Sequence, residues 1–194
     1  MIQGQNVNRE GAVAQLSGDE VQNIVIRSGA ESAVRSGFAE EDAFARYNFS
    51  FRARLIQATP AVQGYCGVLL GAVQACAGLR LTYGRRQVYV HRGRKQVAQF
   101  LFKGRTLCAA FALDPLEYMA TKYHGEDVSG WKRFAKTPML LRVVSPRKLR
   151  YALHLLAQAA GVPEKLLLAA PPADCTFEFL SIEQLIEEGL VKPL

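Results

Sequence analysis

The chain has 194 residues, 49% of them hydrophobic and 21% charged, with 24 Lys and Arg against 17 Asp and Glu. That length fits one ordinary domain plus tails, and the apolar fraction supports a buried core and excludes wholesale disorder. The net charge of +7 is unevenly spread. Residues 1–46 hold four Arg and seven acids, residues 47–161 eighteen Lys and Arg and four acids, and residues 162–194 two Lys and six acids. A basic middle between acidic ends attracts polyanions, whether nucleic acid or the acidic ends of the same or a neighbouring chain.

The start MIQGQNVNREGAVAQL lacks the basic and then apolar character of a secretory signal. Cys66, Cys76, Cys108 and Cys175 form no CxxC pair, and the three histidines are scattered. This argues against a zinc site and a disulfide scaffold, and a reduced, cytoplasmic setting is expected. Residues 1–46 are rich in small and polar residues, with glycines at 4, 11, 18, 29 and 37. They are expected to be an acidic arm, partly ordered by docking.

Residues 47–161 are expected to fold as a basic α+β domain. Asn48 to Ile56 alternates apolar Phe49, Phe51, Ala53 and Leu55 with Ser50, Arg52 and Arg54, the period of a half-buried strand. Thr59-Pro60 opens a helix to about Cys76. Strands over Leu79–Tyr83 and Gln87–His91 flank Gly84-Arg85-Arg86, and a turn follows at Arg92-Gly93-Arg94. Gln96–Lys103 and Arg105–Leu113 form a hairpin about Gly104. The second of these is apolar on both sides, so it is expected to be central. Asp114-Pro115 starts a short helix over Leu116–Thr121, and a polar loop carries Asp127, Ser129, Gly130 and Trp131. Pro138 opens a strand over Met139–Val144. Ser145-Pro146 caps a last helix with an apolar stripe at Leu149, Leu153, Leu156 and Ala160. The expected architecture is an antiparallel or mixed sheet of five to six strands with two main helices on one face.

Residues 162–194 form an acidic tail. Thr176–Leu180 alternates like an edge strand, and Ser181 with Gln184 is a capping box for a helix ending near Gly189. Leu185, Ile186, Leu190 and Val191 make an apolar cluster too small to stand alone. It is expected to dock on its own domain or on a neighbouring subunit.

Several segments together resemble a bacterial domain of unknown function: SFRARLIQ (50–57), KGRTLC (103–108), ALDP (112–115), TKYH (121–124), EDVSG (126–130), TP (137–138) and RKLRYALHLLAQA (147–159). That domain occurs in tandem copies in Firmicute proteins. It is similar to a small module at the ends of restriction-type and transport-annotated proteins. The resemblance covers residues 47–161 and implies a cytoplasmic bacterial setting, with no activity and no catalytic residues to carry over. One departure is that the family's first helix is polar, with Lys and Glu, and here it is not.

No residue from Leu55 to Leu79 is charged. The run is long enough for a bilayer, but Gln57, Thr59, Pro60, Gln63 and Gln74 interrupt it, and a membrane partner is not expected. A helix buried on more than one side is expected instead. The small residues Gly64, Gly67, Gly71 and Ala75 would let a partner approach closely, with Leu70 and Val73 beside them. With Leu185, Ile186 and Leu190 these define an expected interface between copies of the chain or with a protein partner.

Candidates for catalysis are few. His124 lies near Glu126 and Asp127, His91 near a strand end and His154 on a polar helix face, and Cys108 sits among apolar neighbours. No cofactor, metal or enzymatic activity is expected. The basic stretch Arg80, Arg85, Arg86, Arg92, Arg94, Lys95, Lys103 and Arg105 contains no acid and is interleaved with Tyr83, Tyr89 and Phe100. Arg52, Arg54 and Arg142 would extend it. Arginines beside aromatics suit phosphate contact with base stacking, without sequence preference. The leading expectation is a self-assembling or protein-interaction domain, and the alternative is a non-specific nucleic-acid-binding protein.

Overall fold

The computed structural model describes residues 47–194, so the arm expected over 1–46 lies outside the described residues. The fold is α+β. Its centre is a six-stranded antiparallel sheet in the order β2 (Leu79–Tyr83), β3 (Gln87–Arg92), β4 (Lys95–Lys103), β5 (Thr106–Phe111), β7 (Met139–Arg142), β6 (Glu126–Asp127). Strand β5 is interior, between β4 and β7, and its two-sided apolarity follows from that place. Leu107, Ala109 and Phe111 face the main core, while Cys108 and Ala110 face a second one. Gly93 and Gly104 close the β3–β4 and β4–β5 turns at positive φ, where a Cβ is disfavoured.

Helices α2 (Pro60–Ala75) and α4 (Pro146–Ala160) cover one face of the sheet. The Thr59 and Ser145 side chains cap them, each with proline at the start, and Gly161 ends α4 in the left-handed conformation. Leu153, Leu156 and Ala160 are buried on the expected stripe. Between β5 and β7 come the single turn α3 (Pro115–Tyr118) and a short 3-10 helix, Lys132–Phe134. Phe134 and Val128 cover the other face over Leu101, Cys108, Ala110 and Leu140. Among the described residues, no helix is long and apolar enough to cross a membrane.

The strand expected over Asn48–Ile56 is a three-residue strand, β1 (Tyr47–Phe49), followed by a helix, α1 (Phe51–Ile56). Ser50 caps α1 by accepting from the Ala53 amide at 3.0 Å. The helix is gripped from two sides. Phe51 and Leu55, four apart, enter the main core, while Ala53 and Ile56, three apart, enter a cluster with Leu185 and Val191. Burial on two helical faces reproduces the alternation of a strand.

Beyond α4 the chain forms α5 (Glu164–Leu168), an irregular segment, α6 (Ile182–Glu187) and β8 (Val191–Pro193). The tail is built into the fold: Leu167 and Cys175 join the main core, and β8 pairs antiparallel with β1. The Ser181–Gln184 capping box is formed. The edge strand expected over Thr176–Leu180 is irregular chain, without a strand partner among the described residues. A side chain takes that role. The buried Gln63 amide donates to the Phe177 carbonyl at 3.1 Å and accepts from the Phe177 N–H at 3.3 Å. The same amide nitrogen reaches the Leu55 carbonyl at 3.2 Å, which also accepts from the Ala58 N–H at 3.1 Å, and the Ile56 carbonyl at 3.5 Å, both at the end of α1.

The glycines of α2 serve this contact. Ala173 N–H bonds the Gly67 carbonyl at 2.9 Å. A Cβ at Gly67 would lie 2.5 Å from the Ala173 carbonyl oxygen, and one at Gly71 would come closer still to that of Pro171. Gly67, Leu70, Gly71 and Val73 are therefore buried within the chain, and the close approach that the glycines permit is made by the chain's own C-terminal segment. Gly64 and Ala75 are exposed. Leu185 is buried, Leu190 half-buried and Ile186 exposed.

Three substitutions test this strap. Gln63→Leu removes the side-chain partner of the Ile56 carbonyl and of both Phe177 backbone groups and should cost about 3 kcal/mol in urea unfolding. Gly71→Ala should cost about 2 kcal/mol through overpacking. Gly64→Ala meets nothing within 4 Å and should stabilise the helix by about 0.8 kcal/mol.

Candidate nucleic-acid interface

The antiparallel hairpins divide the basic stretch 80–105 between opposite ends of the sheet. Gln87 at the start of β3 pairs with Leu101 near the end of β4, so Arg85, Arg86, Lys103 and Arg105 share one end. Arg92 pairs with Lys95 and with Leu79, so Arg80, Arg92, Arg94 and Lys95 lie toward the other. Strands of this length separate the ends by about 17–20 Å.

Some of these cations have structural partners. Arg92 donates to the Ala160 carbonyl and, at 3.0 Å, to that of Gly161, closing the C-terminus of α4. Lys103 and Arg142 converge on Glu126 at 3.0 and 3.4 Å. The hydrogen bond from Lys103 first, and the Arg142 guanidinium with it, hold the Glu126 carboxyl below its ordinary value. Arg52 lies over Phe177 at 5.7 Å.

Arg85 and Arg86 at the first end meet Arg54 and Arg133 in a groove. One concavity of about 260 Å³ is lined by residues 47–50 together with Arg54, Arg86, Phe102 and Arg133. An adjoining one of about 240 Å³ is lined by Gly84, Arg85, Gln87 and Tyr89, and shares Arg86 and Arg133. Neither has a carboxylate in its wall, and none of these arginines forms an ion pair among the described residues. Asn48 positions two of them, accepting from Arg86 Nε at its Oδ1 at 2.7 Å and from Arg85 Nη2 at its carbonyl at 3.3 Å. Arg54 packs over Phe49 at 4.0 Å and Arg133 over Phe134 at 4.7 Å. Burial first, and then the field of Arg105, disfavours the protonated Arg54.

Aromatic surface borders the groove. Trp131 is 59% exposed, tilted on Phe134, with Lys103 Nζ 5.8 Å from its ring. Tyr89 and His91, two apart on β3, show their rings on the same sheet face at 6.3 Å. Arg133 lies outside the stretch singled out in the sequence. The signal that marks it is the cluster Lys132, Arg133 and Lys136 interleaved with Trp131 and Phe134.

The other candidate groups occupy quieter places. Asp127 caps its loop, accepting from the Ser129 N–H at 2.9 Å, and His124 Nδ1 lies 2.9 Å from the Thr121 carbonyl. Burial pushes the Cys108 thiol up, opposite to the shift of an activated thiolate. Comparison with protein-family models, curated proteins and solved structures finds no match for this chain.

His91 reports the charge of this face. Burial first, then Arg80 and Lys136, hold its imidazolium below the ordinary value of 6.5. A lowered folded value means that His91 favours the fold when neutral and that this contribution is lost as pH falls through its titration. Proton NMR should show the His91 titration moving upward in Arg80→Gln and in Lys136→Gln, and still below 6.5 in each because burial remains.

Proposed function

We propose that this chain binds single-stranded nucleic acid, through its phosphates, at the basic end of the sheet. The observation that supports this reading is the meeting of Arg54, Arg85, Arg86 and Arg133, from three separate segments, around concavities without a carboxylate. Like charges brought together by folding repel. An arrangement that keeps them unpaired favours an anionic ligand, and guanidinium forks match phosphate oxygens. Exposed Trp131, with Tyr89 nearby, supplies ring faces on which bases stack without sequence preference. The concavities are too small for a duplex.

Self-association is the weaker reading. The part of the α2 glycine face at Gly67 and Gly71 is filled by residues 171–175 of the same chain.

The chain has a single tryptophan, so quenching of Trp131 fluorescence by an unstructured oligonucleotide measures binding directly. The logarithm of affinity should fall linearly with the logarithm of salt. Arg86→Gln with Arg133→Gln should lower that slope by about 1.4, roughly 0.7 for each phosphate contact on a single strand. Arg94→Gln, at the far end, should leave it unchanged. No quenching at low salt, or equal losses at both ends, would overturn the reading.

A further inference from the structure

A second cavity, of about 630 Å³, lies at the first turns of α4 and shares no residue with the arginine groove. Lys122, Tyr123, Arg147, Arg150, Tyr151 and His154 line it, with Pro146 and Glu164 completing the wall. Its volume falls in the range of about 300–1,000 Å³ typical of small-molecule sites. We infer that it binds a nucleoside phosphate, with the phosphates on Arg147, Arg150 and Lys122 and the base against the tyrosine–histidine wall.

Charge and order support this assignment. Three cations face a single carboxylate, Glu164, and that carboxylate already meets His154 Nδ1 at 2.8 Å. None of the three cations forms an ion pair among the described residues. Arg147 is aimed, because its Nε donates to the Tyr151 hydroxyl at 2.6 Å and this leaves the terminal nitrogens for a ligand. The wall is an ordered aromatic stack. Tyr123 lies parallel to the His154 ring, 4.1 Å away at 12°, and meets Tyr151 edge-on at 5.1 Å. Glu164 fixes the imidazole in turn. A cavity that combines an oriented guanidinium, two further cations and planar rings suits a ligand with both phosphate and a heteroaromatic ring. Two turns of α4 carry Arg147, Arg150, Tyr151 and His154, which keeps their spacing rigid.

The whole chain is titrated by calorimetry with the four common ribonucleoside diphosphates, with adenosine and with inorganic phosphate. At least one diphosphate should bind one-to-one, with adenosine and phosphate each weaker by about tenfold or more. Arg147→Gln with Arg150→Gln should weaken the diphosphate by about tenfold or more, while Arg86→Gln with Arg133→Gln leaves it unchanged. Ring-proton shifts of Tyr123, Tyr151 and His154 during titration of the unmodified protein give a readout that needs no variant. Four silent diphosphates, phosphate alone binding as well as a diphosphate, unmoved ring signals, or equal losses in both double variants would each overturn the assignment. Because the groove variants are scored separately, failure here leaves the single-strand reading standing, and failure there leaves this one.

Discussion

The described fold depends on one buried amide. Gln63 stands in an uncharged helix where a leucine would be unremarkable, yet its two polar atoms tie three segments together. Its nitrogen takes up carbonyls at the end of α1, and both atoms meet the backbone of Phe177 as a neighbouring strand would. Burying an amide is favourable only when its partners are supplied, and here they come from backbone groups at the end of α1 and at Phe177. The arrangement holds α1 against α2 and lays the C-terminal segment along α2. The glycines at 67 and 71 then let that segment approach until backbone meets backbone.

The electrostatics follow from topology. A basic run continuous in sequence is cut by antiparallel pairing into two ends, and each end draws charge from elsewhere in the chain. At one end Arg92 is consumed in closing a helix, while at the other Glu126 takes up Lys103 and Arg142. What remains is smaller than the whole run and better defined: guanidinium groups held by Asn48, Phe49 and Phe134 in fixed directions. Net charge explains attraction over a Debye length, and this local order governs what can be gripped on arrival.

Much of the sheet was legible because its signals are local. The turns at Gly93 and Gly104, the caps Thr59-Pro60 and Ser145-Pro146, and the stripe of α4 each report their own conformation within a few residues. Helix α1 was not legible, because two buried faces on six residues look like the two faces of a strand. Gln63 read as an interruption of an apolar run, since its partners lie up to 114 residues away. Arg133 was hidden for the same reason, and α5 lacked a strong cap. The arginines of the β2–β3 turn were legible as basic residues, but their company was not. The loop that brings Arg133 beside them is placed by Phe134 in a core that only folding creates.

The ladder between Tyr47–Phe49 and Val191–Pro193 joins the two extremes of the described chain. Asn48, which orients Arg85 and Arg86, sits in the middle of that ladder opposite Lys192, and Ser50 N–H adds a bond to the Leu190 carbonyl. Closing so large a loop costs more chain entropy than closing the local hairpins. During synthesis the arginines of the β2–β3 turn emerge early, while the strand that fixes Asn48 is made more than a hundred residues later. A nascent chain therefore displays loose positive charge long before it owns a shaped groove, and order at that end of the sheet waits on the residues that pair with Asn48.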